Sequence, residues 1–191
     1  MIKVIIFDLN GVFIKSELLS DRFKKDFQVD ETEFRAALSK IMPLVRLPKA
    51  PPCFSLWKPY LQRWKIKLKE QEFFEYWFSG EHLVQEIINF VKDLKKKRIR
   101  IFILSNNFKE RTAYYKKNFP EIFQNADKAY FSWETGYVKP DERAFRHILE
   151  EFDLKPEECL YFDDSEKNIE AARKIGIQAE LFKDVFSLKK E

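Results

Sequence analysis

The fold is indicated first by a short run near the N-terminus, Val4-Ile5-Ile6-Phe7-Asp8-Leu9-Asn10-Gly11. An uninterrupted apolar run followed by polar residues is typical of a parallel strand that is buried on both faces. This run predicts a first strand over Lys3–Phe7. Four further β-rich runs, the last of them the weakest, predict strands at Arg100–Leu104, Ala129–Ser132, Cys159–Phe162 and Gln178–Phe182.

Helical patterns separate most of these runs, at Leu83–Leu94, Lys109–Asn118, Asp141–Phe152 and Lys167–Ile175. Strands that alternate with helices predict an α/β fold, a doubly wound, Rossmann-like parallel sheet of about five strands. Pro140 is expected to open the third of these helices, because its fixed φ suits a first turn. Gly176 is expected to end the fourth in a left-handed conformation.

An insertion of different texture lies between the first and second strands. We predict a small helical cap at residues 14–80, inserted into an α/β core of residues 1–13 and 81–191. Asp30 and Glu33 have the spacing of a helix capping box. The second half of the insertion is crowded with rings: Trp57, Tyr60, Trp64, Phe73, Phe74, Tyr76 and Trp77. Most are expected to form the core of the cap, and one or two to face a substrate.

Composition and charge exclude several classes of protein. The 191 residues are 45% hydrophobic with a net charge of +4, the balance of a globular domain. The densest basic run, residues 95–98, follows a helix pattern and is expected at the C-terminus of that helix, where cations favour the dipole. Nucleic acid is therefore not a predicted partner. No apolar run approaches membrane-spanning length, so membrane association is not predicted either.

Cysteine and histidine positions suggest no structural metal site. Cys53 and Cys159 lack the spacing of a disulfide framework or a zinc site, which favours a reducing, cytoplasmic setting. His82 and His147 show no metal-ligand spacing and are expected to be structural.

Reactive side chains follow the predicted strands. Asp8 follows the first strand, Ser105 and Asn106 the second, and Asp163 with Asp164 the fourth, while Lys139 lies in the loop after the third. Ligands of doubly wound sheets bind at the carboxyl ends of the strands, so these groups are expected to meet.

The residue types suit phosphoryl transfer. A carboxylate such as Asp8 can attack phosphorus and form an acyl phosphate. Mg²⁺ held by Asp163 and Asp164 would offset the repulsion between that carboxylate and a phosphate dianion. Ser105 and Lys139 would supply fixed donors to the transferring group.

Four stretches carry a recognisable pattern: residues 7–12, 104–107, 138–141 and 161–165, the last followed by Asn168, Ala171, Ala172, Arg173 and Gly176. This pattern resembles the haloacid dehalogenase (HAD)-like superfamily of hydrolases. Together they span the predicted core from about residue 2 to residue 182. The insertion lies where that family's first-type helical cap lies, and its length is similar to the cap of the sugar-phosphatase and epoxide-hydrolase N-terminal-domain subgroup.

The resemblance implies a set of roles. Asp8 would be the nucleophile and a metal ligand, the backbone carbonyl of Asn10 another ligand, and Asp164 a direct ligand of Mg²⁺. Asp163 would act mainly through a water or a hydrogen bond. The phosphoryl group would be held by Ser105, the Asn106 backbone and Lys139. The expected substrate is a small phosphorylated metabolite similar to a sugar phosphate, and the expected assembly is a monomer or weak homodimer.

Position 10 departs from the family pattern. Phosphatases of the superfamily carry there an aspartate that protonates the leaving oxygen and then activates water, whereas this chain has Asn10. An amide cannot do either at neutral pH, and such proton transfer contributes roughly 10² to 10⁴-fold. An Asn10→Asp substitution is therefore expected to raise turnover by that factor. The backbone carbonyl, and with it metal binding, is unaffected.

Several explanations of Asn10 remain open at this point. The protein is a weak or specialised enzyme, a pseudoenzyme that binds phosphorylated ligands, or a substrate-trapping variant with an engineered residue. Partial deamidation of the Asn10-Gly11 pair is a fourth. A 2-haloacid dehalogenase also uses an aspartate nucleophile, but it leaves the adjacent pair of Asp163 and Asp164 unexplained.

Overall fold

The computed structural model describes residues 1–185. The strands are β1 Val4–Phe7, β2 Ile14–Ser16, β3 Glu81–Leu83, β4 Arg100–Ser105, β5 Lys128–Phe131, β6 Cys159–Asp163 and β7 Gln178–Leu181. The helices are α1 Leu19–Phe27, α2 Glu31–Val45, α3 Cys53–Arg63, α4 Glu70–Phe78, α5 Gln85–Lys96, α6 Lys109–Asn118, α7 Pro120–Asn125, α8 Ser132–Thr135, α9 Glu142–Glu151 and α10 Glu166–Lys174. A 3₁₀ turn at Pro156–Glu158 precedes β6.

A five-stranded sheet with the order β5-β4-β1-β6-β7 forms the centre of the core, and all its strands are parallel. Phe7 at the end of β1 lies beside Ile103 of β4 and Phe162 of β6. The carboxyl ends of the three central strands therefore reach the same edge. This architecture confirms the predicted α/β fold class and its five strands.

Residues of β1 alternate between two hydrophobic layers. Ile5 and Phe7 pack into one layer together with α5, and Val4 and Ile6 pack into the other together with α9 and α10. All four side chains are buried. Because β1 is covered on both faces, its apolar run needs no alternation. The strand is a rigid support for the residues that follow it.

The helices α1 to α4 enclose a hydrophobic cluster of their own, built largely from rings. Trp57 is fully buried, with Phe34 stacked 5.2 Å away and Trp77 at 5.7 Å. Trp77 also contacts Phe108 of the core at 5.3 Å, which joins the cap to the core. The division into a cap of residues 14–80 and a core of residues 1–13 and 81–191 stays a prediction, and residues 186–191 lie outside the described residues.

A two-stranded antiparallel ribbon, β2 with β3, was not predicted. It pairs Ile14 with Leu83 and Ser16 with Glu81, where the insertion leaves and rejoins the core. The helix predicted from Leu83 consequently begins at Gln85. Val84 before it is extended and donates its N–H to the carbonyl of Phe13 at 2.8 Å.

Two other predicted boundaries are wrong. Strand β5 ends at Phe131, because Ser132 begins α8 and exchanges hydrogen bonds at 3.1 Å with the backbone of Asn107. Pro140 does not open α9. It follows a cis peptide bond, and Asp141 caps the helix by accepting the N–H of Arg143 at 2.9 Å.

Three predicted features of helix ends are observed, although the bounds of α5, α9 and α10 differ from the predicted ones by one or two residues. Asp30 caps α2 by accepting the N–H of Glu33 at 3.0 Å. Gly176 follows α10 with a φ of +92°, and the basic Lys95 and Lys96 lie in the last turn of α5. Within residues 1–185, the helices are all too short or too polar to cross a bilayer.

Candidate active site

A cleft of about 360 Å³ lies at the carboxyl edge of the sheet. Six residues predicted for the site line it: Asp8, Asn10, Ser105, Asn106, Lys139 and Asp164. Asp163 is fully buried and is not part of the cleft wall. The sequence therefore predicted which residues meet at this edge. The structure adds that Asp163 lies behind the cleft wall, where it contacts the ammonium of Lys139.

Lys139 joins the two buried carboxylates. Its ammonium lies 2.9 Å from Oδ1 of Asp8 and 2.7 Å from Oδ2 of Asp163, and the lysine side chain is almost fully buried. Burial opposes the lysine charge, but the carboxylates of Asp8 and Asp163 outweigh it and raise the pKa of Lys139. Lys139 is therefore a fixed cation at the nucleophile.

Burial raises the pKa of Asp8 to about 6, and the cation of Lys139 only partly offsets this effect. The nearby Asp163 raises it further. The carboxylate of Asp8 is thus in an environment where a second positive charge would be strongly stabilising.

Asp163 has both oxygens occupied by donors. Its Oδ1 accepts the N–H of Ser165 at 2.8 Å, and the amide of Asn168 donates to both oxygens at 3.1 and 3.0 Å. The hydroxyl of Tyr161 and the ammonium of Lys139 donate to Oδ2. Burial favours the neutral acid, but Lys139 and the other donors lower the pKa of Asp163. This carboxylate therefore orients Lys139.

Asp164 is exposed on the cleft wall and packs against Gly11. A Cβ built on Gly11 would overlap the carboxylate of Asp164, and the φ of Gly11 is +88°. Both the lack of space and the left-handed backbone conformation therefore require glycine at this position. Carboxylate oxygens of Asp8, Asp163 and Asp164 lie within 4.8 Å of one another. Hard oxygen donors in this number suit a divalent cation such as Mg²⁺.

Asn106 fastens the loop that carries Lys139. Its amide donates to the carbonyl of Lys139 at 2.8 Å and accepts the N–H of Lys139 at 2.8 Å. Ser105, the last residue of β4, is buried at the base of the cleft. The contacts of Asn106 hold the loop that carries Lys139 against the end of β4.

Asn10 is held by both ends of its amide. Its Nδ2 donates to the hydroxyl of Tyr115 at 2.7 Å, and its Oδ1 accepts from Nδ2 of Asn107 at 3.3 Å. The Tyr115 hydroxyl in turn donates to Oε2 of the buried Glu81 at 2.9 Å. Glu81 also accepts from Ser16 at 2.6 Å. Position 10 is thus tied to the ribbon where the cap joins the core.

Two arginines reach the cleft and were not predicted. Arg46 follows the last residue of α2 in the cap, and Arg111 lies on α6 of the core. Arg111 donates to Oε1 of Glu81 at 2.5 Å. No motif signals either residue, because each reaches the cleft only through the packing of its helix.

A family model described as haloacid dehalogenase-like hydrolase matches residues 2–176. The chain belongs to this family. The predicted family is confirmed, and the site described above is therefore the candidate active site of a HAD-like hydrolase.

Several relatives of this HAD-like hydrolase are distant in sequence. Bifunctional epoxide hydrolase 2 of Rattus norvegicus is 23% identical over 78% of this chain, which spans only 30% of that protein's length. A phosphorylated carbohydrates phosphatase of Thermotoga maritima is 24% identical over 92% of this chain and 82% of its own. A HAD family enzyme of Bacteroides thetaiotaomicron, crystallised with magnesium and inorganic phosphate, is 22% identical, with a TM-score of 0.81 and full coverage of both chains.

The expectation that cap rings face a substrate is wrong for this cleft of the HAD-like hydrolase. Among the described residues, those lining the cleft are all polar, charged or glycine. Trp57 and Trp77 are buried in the cap, and Trp64 packs against the same cluster. The cap contributes a cation, Arg46, to the cleft instead.

The two histidines lie away from the cleft. His82 of β3 contacts Glu17 at 3.4 Å, and His147 of α9 packs against Tyr130 and Tyr137. Within residues 1–185, the candidate metal cluster contains only aspartates. Neither histidine contributes to the candidate active site.

Proposed function

We propose that this HAD-like hydrolase is a Mg²⁺-dependent phosphatase of small phosphomonoesters that acts through an aspartyl phosphate on Asp8. One observation carries the proposal. The carboxylate of Asp8 faces a small cleft with a fixed ammonium 2.9 Å away, and two further carboxylates lie close enough to share a cation. The phosphatase from Thermotoga maritima and the magnesium and phosphate complex of the Bacteroides enzyme support it.

Asp8 and Asp164 are the proposed direct side-chain ligands of Mg²⁺, together with the backbone carbonyl of Asn10. Asp163 supports the site through Lys139 and hydrogen bonds. The bound ion supplies positive charge that offsets the repulsion between the nucleophile and the phosphate dianion. Gly11 leaves the space that the carboxylate of Asp164 occupies.

The phosphoryl group is held by Ser105, the backbone of Asn106 and Lys139. The Lys139 ammonium is buried and already positioned by two carboxylates, so it needs little reorganisation when charge develops on the phosphoryl oxygens. The clamp between Asn106 and the Lys139 backbone holds both donors in register.

In the first step an oxygen of Asp8 attacks phosphorus, and the bond between phosphorus and the leaving oxygen breaks. The electron pair of that bond stays with the leaving alcohol, which takes a proton unless it is stable as an anion. Asn10 cannot supply that proton. Esters of acidic alcohols are therefore the substrates that react fastest.

In the second step water attacks phosphorus, the bond to Asp8 breaks, and inorganic phosphate leaves. The attacking water passes a proton to solvent or to the departing phosphate, without a general base at position 10, because the amide of Asn10 cannot accept it. Since Asn10 is also engaged with Tyr115 and Asn107, it acts as part of the wall of the cleft. The aspartyl phosphate is expected to accumulate.

A protein that binds phosphorylated ligands without turnover is the second candidate. The amide of Asn10 favours this binding-protein candidate, because its hydrogen bonds to Tyr115 and Asn107 give position 10 a structural role and not a proton-transfer role. The two candidates share the same ligand contacts and differ only in the two chemical steps.

Rapid-mixing kinetics with p-nitrophenyl phosphate and Mg²⁺ test the proposal. We expect a burst of about one p-nitrophenolate per site followed by slow turnover, both lost without Mg²⁺ and in Asp8→Asn. Binding of a fluoroberyllate with Mg²⁺ but no burst would support the second candidate. Halide release from a 2-haloacid without Mg²⁺ would contradict both.

The expected cytoplasmic setting and the expected monomer or weak homodimer stay predictions. A small phosphorylated metabolite is the proposed partner, since the cleft is at the lower end of the volumes that hold small molecules.

A further inference from the structure

We propose that Arg46 and Arg111 form a second anion-binding subsite, so that the substrate is a phosphomonoester with an additional carboxylate or phosphate group. This inference rests on the proposed phosphatase function and specifies its substrate class.

Arg46 is a cation of the cap without a partner. Its side chain lines the cleft, and among residues 1–185 it makes no hydrogen bond or ion pair. Its Nε is buried and lacks an acceptor. A buried donor left without an acceptor costs free energy, which an anionic ligand in the cleft would recover.

Arg111 is held rigidly on another part of the same wall. Its terminal nitrogen donates to Glu81 at 2.5 Å and to Ser16 at 3.1 Å, so the ribbon fixes the guanidinium in place. Its Nε is also buried without an acceptor. Both arginines therefore line one cleft, and each has a buried Nε–H without an acceptor.

The two guanidinium groups belong to residues that line the same cleft, so two like charges share it. Burial lowers the pKa of Arg46, and the charge of Arg111 lowers it further, while Asp8 only partly offsets these effects. An anion bound in this cleft would offset the repulsion and accept charge-assisted hydrogen bonds from the guanidinium groups. Arginine also suits carboxylate and phosphate, because its planar fork matches their paired oxygens.

The transferring phosphoryl group already has its own donors in Lys139, Ser105 and the Asn106 backbone. Arg46 reaches the cleft from the cap, whereas those donors come from the core strand ends. The cap residue is therefore placed to contact the part of a substrate that projects away from the sheet. The absence of apolar side chains among the described lining residues favours recognition by charge over stacking.

Matched substrates measure the preference directly. The set is phenyl phosphate, 4-carboxyphenyl phosphate and benzene-1,4-diyl bisphosphate, whose phenol leaving groups are acidic and which differ in whether and how a second anion is present. We expect kcat/KM for the carboxylate ester and for the bisphosphate to exceed that for phenyl phosphate by roughly 10- to 100-fold, the range of one or two charge-assisted hydrogen bonds. If only one of the two anionic esters is preferred, it identifies the second group.

Variants of Arg46 and a matched control separate recognition from stability. Arg46→Gln is expected to reduce the preference to about twofold or less, and Arg46→Lys to retain part of it through charge alone. Arg35→Gln is the control, because Arg35 lies on the same helix α2 but is exposed and pairs with Glu31 at 2.6 Å. It should keep the full preference. Thermal unfolding confirms that each variant is folded.

The outcomes distinguish this inference from the phosphatase proposal. Turnover of all three esters without preference would overturn the second subsite and leave the phosphatase intact. An equal loss of kcat/KM for all three esters in Arg46→Gln would also overturn it, since Arg46 would then hold the phosphoryl group itself. No Mg²⁺-dependent reaction with any phosphomonoester would refute the phosphatase.

Discussion

The hydroxyl of Tyr115 limits what an aspartate could do at position 10. It has one proton, which it donates to Glu81 at 2.9 Å, and it accepts from Asn10 at 2.7 Å. In Asn10→Asp, an ionised carboxylate would replace that amide donor. The single hydroxyl proton cannot serve both carboxylates.

The size of the penalty follows from the missing hydrogen bond. One of two acidic groups, the new aspartate or the buried Glu81, loses the Tyr115 hydroxyl as one of its donors, which costs about 1–3 kcal/mol, or about 5- to 150-fold. The proton transfer that aspartate restores contributes roughly 10² to 10⁴-fold. Taking the middle of each range, about 10³-fold divided by about 30-fold leaves a net gain of about 30-fold.

A second substitution, Glu81→Gln, should remove the penalty. The glutamine can keep its carbonyl toward Arg111, which now donates to Oε1 of Glu81, and turn its amide toward Tyr115 and Ser16. The Tyr115 proton then becomes available to the aspartate at position 10. The double variant should reach the full gain of about 10³-fold.

Steady-state rates with p-nitrophenyl phosphate and Mg²⁺ form a double-mutant cycle. We expect Asn10→Asp and the double variant to differ by about 30-fold, which is a coupling energy of about 2 kcal/mol. Glu81→Gln alone is the matched control and should give no gain, because the amide at position 10 still cannot carry a proton. A gain of about 10³-fold in Asn10→Asp alone, with no further effect of Glu81→Gln, would refute the role of Tyr115.

Three further predictions concern the metal site, the buried lysine and the cap. Gly11→Ala should weaken Mg²⁺ binding at least tenfold by calorimetry and lower the free energy of unfolding by about 1–2 kcal/mol, because its Cβ overlaps Asp164 at a positive φ; unchanged affinity would exclude Asp164 as a ligand. Lys139→Ala should abolish the burst and destabilise the fold by about 3–5 kcal/mol in urea, because two buried carboxylates lose their cation; a normal burst would remove Lys139 from the reaction. Trp57→Ala should lower the free energy of unfolding by about 3–5 kcal/mol, since the ring is fully buried; altered selectivity without destabilisation would place the ring in the substrate site.

The central sheet was predictable because burial on both faces leaves a strong local pattern. The first strand, predicted over Lys3–Phe7, is observed as β1 over Val4–Phe7, and α6 has its predicted bounds. Asp8, Ser105 and Asp164 were predicted to meet because parallel strands end at one edge, and they line one cleft.

Features set by distant packing could not be predicted. The ribbon of β2 and β3 has three residues in each strand, and its pairing joins Ile14 to Leu83 across the whole cap. Arg46, Arg111 and Glu81 reach the site from the cap, from α6 and from this ribbon, without any motif around them. Their roles depend on which face of each element packs inward, which only the tertiary structure determines.

The phosphorylated residue itself gives the most direct measurement of the central claim. The protein is quenched in acid during the burst with p-nitrophenyl phosphate and Mg²⁺, and its peptides are analysed by mass spectrometry. We predict one phosphoryl group on the peptide that contains Asp8, stable in acid and released by hydroxylamine, as expected of an acyl phosphate. A burst with no phosphoryl group on Asp8, or with one on another residue, would contradict the account.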